Sequence, residues 1–166
     1  HGTINTTYSY DVDATNLTTF AISDADTQTL GLVATSALDF SYSTDRALSL
    51  NTIAAGSNST GSVSLTSRSA PQNTDARISR NSGTITAGSV SLTAVGSNGA
   101  VAATTNTQNL SVASGGNVSV NNGSTTLQSL TLDLQHRTSG ASTHSYTVTS
   151  GGLAFSLSDT TGTDGL

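Results

Sequence analysis

The sequence predicts an all-β chain wound as a parallel β-helix. Three observations carry that expectation: the residue types present, the alternation of apolar with polar positions, and the return of one short motif at near-constant spacing. Composition comes first. At 166 residues the chain is the size of one domain. It has no Lys, Glu, Cys, Met or Trp; its five cations are all Arg and its ten carboxylates all Asp. Several of the better helix formers are therefore missing. Ser, Thr, Gly, Asn, Val, Leu and Ala dominate what remains. Thr and Val suit a pleated surface, while Gly, Asn, Ser and Asp suit tight turns. Charged residues make up 9% and hydrophobic residues 34%, both low for a globular domain. Disordered chains combine high net charge with few β-branched residues, whereas the net charge here is only −5 and short alternating apolar runs recur throughout. A repeat structure tolerates a thin core, because each coil contributes only a few inward residues.

The short-range repeat is explicit. Gly61-Ser62-Val63-Ser64-Leu65-Thr66 returns as Gly88-Ser89-Val90-Ser91-Leu92-Thr93, and more loosely as Gly116-Asn117-Val118-Ser119-Val120. The steps from Val63 to Val90 and from Val90 to Val118 are nearly equal. Each copy reads as a turn followed by a strand with one buried face. Equivalent strands are expected around Val12, Leu38 to Phe40, Val63 to Leu65, Val90 to Leu92, Val118 to Val120 and Val148. Further alternating runs fall at Phe20 to Ile22, Leu48 to Leu50, Leu110 to Val112, Leu130 to Leu134 and Phe155 to Leu157. Pro71, with the nearby arginines, interrupts the pattern and marks a loop.

A longer repeat joins the ends. Ser9-Tyr10-Asp11-Val12 matches Ser145-Tyr146-Thr147-Val148 at an offset of 136, and Leu17 matches Leu153 at the same offset. After a one-residue slip, Phe20 to Asp24 matches Phe155 to Asp159. The expectation is a single segment over residues 1–166, with one long unit at 1–136 and the start of the next at 137–166. Five coils of about 27 residues fill the long unit, and about six fill the chain. The competing architecture is a tandem β-sandwich, one domain of about seven strands per long unit, which strand spacing alone does not exclude. Near-identical strands at a constant interval favour the β-helix. With no signal-peptide pattern and His1 as first residue, the sequence reads as an internal or processed segment of a longer protein.

The motifs Ala87-Gly88-Ser89-Val90-Ser91-Leu92-Thr93-Ala94 and Gly115-Gly116-Asn117-Val118-Ser119-Val120-Asn121-Asn122-Gly123 resemble the coils of filamentous-haemagglutinin-like exoproteins, the large adhesins of two-partner secretion. The likeness is best over residues 60 to 135. It implies a right-handed parallel β-helix shaft at an outer-membrane surface or in an extracellular matrix. The implied role is a non-catalytic stalk or filament of a secreted bacterial adhesin. Its partners would be neighbouring repeats, copies of itself, and host-cell or matrix glycans. The alternative function is a β-helical protein that binds or degrades polysaccharide.

Chemistry is sparse. His1, His136 and His144 are the only imidazoles, and no Gly-x-Ser-x-Gly elbow accompanies them. Glycoside hydrolysis requires two carboxyls at a defined separation, and the one mixed cluster is Asp133 with His136 and Arg137. No catalytic residue and no cofactor is expected. Calcium is the exception to weigh: Asp11 with Asp13, and Asp24 with Asp26, place hard oxygen ligands two apart, on one side of a strand. The bland reading of the same residues is turn capping and solubility. Asn5, Asn16, Asn58, Asn109, Asn117 and Asn122 each begin an Asn-x-Ser/Thr sequon, and some adhesins of the resembled family are glycosylated at such sites. Asn117 also fits an Asn ladder stacked between coils. Thr84-Ile85-Thr86 and Thr147-Val148-Thr149 do not recur at the coil period, which disfavours an ice-binding array. An acidic balance with scattered Arg predicts no nucleic-acid partner, and no stretch reaches the length of a membrane-spanning helix.

Overall fold

The computed structural model describes the chain except residues 1–6, 9–10, 15–18, 25–27, 69–75, 96–98, 125–126, 134–143, 152 and 160–166; for 7–31 and 153–159 it describes the backbone alone. In chain order the strands are β1 (Thr7–Tyr8), β2 (Asp11–Ala14), β3 (Thr19–Asp24), β4 (Gln28–Ser36), β5 (Asp39–Thr44), β6 (Leu48–Ala55), β7 (Ser62–Arg68) and β8 (Arg77–Arg80). They continue as β9 (Ile85–Thr86), β10 (Ser89–Val95), β11 (Ala100–Asn106), β12 (Asn109–Ser114), β13 (Val118–Asn122), β14 (Ser129–Asp133), β15 (His144–Ser150) and β16 (Leu153–Asp159). The described residues contain no helix.

The strands form two sheets. Sheet I has six, in the order β14-β12-β10-β7-β5-β3. Sheet II has ten: β1-β4-β6-β8-β11-β13-β15-β16, with β2 beside β4 and β9 between β6 and β11. From β3 to β15 the chain alternates between the sheets, β8 and β9 acting as one interrupted strand. The named strands all pair in parallel, except that β16 folds back antiparallel on β15. Parallel ladders contradict the tandem sandwich, whose sheets are antiparallel.

Alternation makes the core. In β7, Val63, Leu65 and Ser67 are buried while Ser62, Ser64 and Thr66 are half-exposed. Register then stacks like on like across sheet I: Phe40, Val63, Val90, Leu110 and Leu130 form one column, and Tyr42, Leu65, Leu92, Val112 and Leu132 the next. Sheet II supplies Leu48, Ile78, Val101, Val118 and Tyr146 from its own ladder. These side chains, with Leu130 and Leu132 at the margin, make one continuous apolar core. Burying each Val, Leu or Phe contributes about 1.5–3 kcal/mol.

The return interval is mostly shorter than expected, and less even. Successive sheet I strands align Phe20, Phe40, Val63, Val90, Leu110 and Leu130. The step from Val63 to Val90 is the longest in this series. Those from Phe20 to Phe40, Val90 to Leu110 and Leu110 to Leu130 are equal to one another and the shortest. The motif copies at Val63 and Val90 are true neighbours. The looser copy at Val118 is not: β13 belongs to sheet II, paired with β11 and β15. The longest return contains Pro71 and the interruption at residues 81–84 between β8 and β9. There Gly83 takes φ +79°, and the Asn81 and Ser82 N–H groups both donate to Leu50 O, at 2.8 and 3.1 Å.

The Gly of the motif also has a local cause. Gly61 has φ +77°, and a Cβ there would run into the carbonyl oxygens of Leu38 and Ala55. The chain passes that close because Ser62 N donates to Leu38 O at 2.9 Å and Ser89 N to Gly61 O at 3.0 Å.

Buried hydroxyls finish the strands. Thr44, Ser67, Ala94 and Ser114 occupy one inward column at the end of sheet I. Ser67 Oγ donates to Arg46 O at 2.7 Å and accepts from Arg77 N at 2.9 Å, tying two successive returns together. Ser114 Oγ donates to Gly99 O at 2.5 Å and accepts from Gly116 N at 3.2 Å. A turn buried at a corner leaves backbone groups without ladder partners, and these short hydroxyls supply them.

Candidate functional site

The outer face of sheet I is the most regular surface of the molecule. Its residues stack in three columns: Asp39-Ser62-Ser89-Asn109-Ser129, Ser41-Ser64-Ser91-Ser111-Thr131, and Ser43-Thr66-Thr93-Ala113-Asp133. Strand pairing fixes the rungs about 4.8 Å apart. Because these side chains are small, β7, β10, β12 and β14 leave a shallow depression of about 330 Å³, lined by their members of the first two columns together with Val63, Val90 and Leu110. Within it Ser129 Oγ donates to Asn109 Oδ1 at 2.9 Å, and Asn109 Nδ2 donates to Gly88 O at 3.3 Å. Beside it Ser62 Oγ donates to Asp39 Oδ1 at 2.7 Å. The lining carries no carboxylate, imidazole or cation. Such a surface offers neutral hydrogen bonds to a ligand or a neighbouring molecule, with no acid–base pair to break a bond.

Asp11 and Asp13 stand two apart on β2 in sheet II, and Asp24 ends β3 in sheet I. Their side chains, and Asp26 altogether, lie outside the described residues. Among the described residues no group of three His, Cys, Asp or Glu comes together. Asp133 ends β14 and is half-buried, while His136 and Arg137 lie outside the described residues. His144 opens β15, half-buried.

The sequons divide by environment. Asn5 and Asn16 lie outside the described residues. Asn58 sits half-exposed in the turn between β6 and β7. Asn109 is on the sheet I face described above. Asn117 is exposed, and its Oδ1 accepts from Ser145 N at 2.8 Å, a side-chain-to-backbone link toward the adjacent β15 rather than an Asn stacked on an Asn. Asn122 is 1% exposed. Its Oδ1 accepts from Thr105 Oγ1 at 3.1 Å and Thr107 N at 3.0 Å, and its Nδ2 donates to Thr107 O at 3.0 Å and Ser150 Oγ at 3.1 Å. Ser150 Oγ donates onward to Ser124 O at 3.1 Å. All four hydrogen-bonding positions of the amide are filled, so the folded chain presents no acceptor nitrogen there.

The runs at Leu110 to Val112 and Leu130 to Leu134 were expected from the sequence, but not that Asn109 and Ser129 continue the Ser62 and Ser89 column. Asn109 and Ser129 lack the preceding Gly and follow the shortest returns, so a search keyed to the Val63-to-Val90 interval passes over them. No helix among the described residues is long and apolar enough to cross a membrane. No family model matches the chain, and neither a curated protein nor a solved structure is significantly similar to it.

Proposed function

We propose that the chain is a segment of a right-handed parallel β-helix, serving as a non-catalytic stalk or filament of a secreted bacterial surface adhesin or matrix fibre. The observation that carries this reading is the alternation from β3 to β15 between two sheets of parallel strands, each sheet I strand lying in register beside the one from the previous return. Parallel strands joined through a crossover are overwhelmingly right-handed, because the strand twist lets the connection pack back only that way. The wall then transmits load through a continuous hydrogen-bond ladder, and its neutral Ser and Thr faces keep it hydrated without chemistry. The low charge and the scattered carboxylates fit a structural role better than an enzymatic one.

The test is the power spectrum of electron micrographs of the native assembly. A strong axial layer line near about 4.8 Å is the expected result. Beads tens of ångströms apart without that line would remove the β-helical stalk.

A further inference from the structure

The two copies of the long repeat follow one sequence pattern into two different folds. At an offset of 136, Val12 matches Val148 and Leu17 matches Leu153; after the slip, Phe20 to Asp24 matches Phe155 to Asp159. In the first copy the chain passes from β2 in sheet II to β3 in sheet I. In the second it leaves β15 in sheet II and returns to the same sheet as β16, antiparallel to β15. Ser150 pairs with Leu153, so only Gly151 and Gly152 join the two strands. Gly151 has φ +55°. The matching dipeptide of the first copy is Thr15-Asn16. A two-residue hairpin favours positive φ, which Gly-Gly takes freely and a β-branched Thr resists. The end of sheet I, meanwhile, is short of a strand. Among the described residues β14 has a strand partner on one side only, β12. Leu130 and Leu132 are half-buried there, although Leu110 and Val112 one rung back are buried.

We propose that residues 153–159 are a strand with two berths, and that Gly151-Gly152 chooses between them. With the glycine turn the strand folds back on β15, taking the place where the next parallel rung of sheet II would stack. Without it the strand crosses, as its counterpart β3 does, and lies parallel to β14 as the next rung of sheet I. The crossing is within reach, since β11 passes to β12 across only two residues. The repeat also fixes the register of the second berth. Phe20 heads the column that ends at Leu130, so Phe155 would stand beside Leu130, Ser156 beside Thr131 and Leu157 beside Leu132. Each berth has its own gain. The hairpin closes a far shorter loop, and the crossing covers two half-exposed leucines. The dipeptide thus acts as a stop signal for winding, set by backbone conformation alone. The inference goes beyond the stalk reading, because it rests on the strand pairing and the repeat and needs no partner.

The test uses the purified 166-residue chain, which has no native Cys, carrying pairs of introduced thiols and treated with a short thiol cross-linker. Ser156 pairs with Thr147 in the hairpin and would meet Thr131 in the second berth. With the native turn, Thr147→Cys with Ser156→Cys should link, and Thr131→Cys with Ser156→Cys should not. Gly151→Thr with Gly152→Asn then installs the dipeptide of the first copy. It should move the ratio of the two links toward Thr131 by about tenfold or more, because a non-glycine residue is strained at positive φ. Gly151→Asn alone should leave the ratio within about threefold of its native value, since Asn-Gly suits the same turn. Peptide mapping at low protein concentration confines the links to one chain, and circular dichroism verifies folding. The proposal is overturned if the Thr147 pair does not link with the native turn, or if the double change leaves the ratio where it was. It is equally overturned if Gly151→Asn moves the ratio as far as the double change does. Loss of the Thr147 link without gain at Thr131 removes the second berth, and so does an unfolded double variant. The axial signal near about 4.8 Å is a separate readout. Its absence removes the stalk and leaves the strand choice standing; a failed strand choice leaves the stalk untouched.

Discussion

Sheet I and sheet II are built by the same chain from the same residue types, yet one is uniform and the other is broken. Sheet I keeps one register from β3 to β14, without a bulge, and each outward column is polar or small. Sheet II shifts register between β4 and β6, splits a strand into β8 and β9, and ends on a reversed strand. All the variation in return length is therefore absorbed outside the sheet I strands. A ladder of parallel strands cannot slip one residue locally without turning its apolar side outward. One sheet held in strict register fixes the winding, and the other is free to take insertions.

That difference can be broken by mutation. The largest effect is expected at the centre of sheet I. Leu65 is fully buried between Tyr42 and Leu92, and Leu65→Ala should cost about 3–5 kcal/mol in urea unfolding. A loss below about 1 kcal/mol would mean that the column is not packed as described. An intermediate effect is expected at the Asn122 corner of sheet II. Asn122→Ala takes a partner from Thr105 Oγ1, from Thr107 N and O, and from Ser150 Oγ, and should cost about 2–3 kcal/mol by the same measurement. The smallest effect sharpens the comparison. Residues 81–83 add to the β8–β9 interruption, since Ile78 and Ile85 pair with Val101 and Thr105, which are closer together in the chain. Removing 81–83 should shift stability by about 1 kcal/mol or less, whereas a deletion of the same length within β7 should prevent folding. Equal damage from both deletions would end the distinction between a strict sheet and a permissive one.

Strand chemistry was legible in the residues, but the return interval was not. Composition and alternation were sufficient for Val63, Leu65, Val90 and Leu92, because each buries an apolar side chain between polar ones. The period was misread because the clearest motif pair, at Val63 and Val90, spans the longest return. The shorter returns carry Leu110 and Leu130, preceded by Gln108-Asn109 and Gln128-Ser129 in place of Gly-Ser. At Gly61 the glycine answers to a close backbone approach specific to that turn, and other returns do without it. Sheet assignment was equally hidden: Val118 and Val90 have the same local pattern, and only long-range pairing places them in different sheets. The tie between successive returns was hidden as well, since Arg46 and Arg77 are far apart in the chain until the Ser67 hydroxyl joins their backbones.

The bounded length of each return has a kinetic consequence. Every sheet I strand finds its partner one return back, and no return between sheet I strands exceeds the step from Val63 to Val90. The loop-closure entropy per strand is therefore nearly fixed, where in most β-proteins it climbs with the separation of paired strands. Once a first pair of rungs has nucleated, every later segment adds to a ready template. Strands added one return at a time would each face the same closure cost, whatever the number of strands already paired.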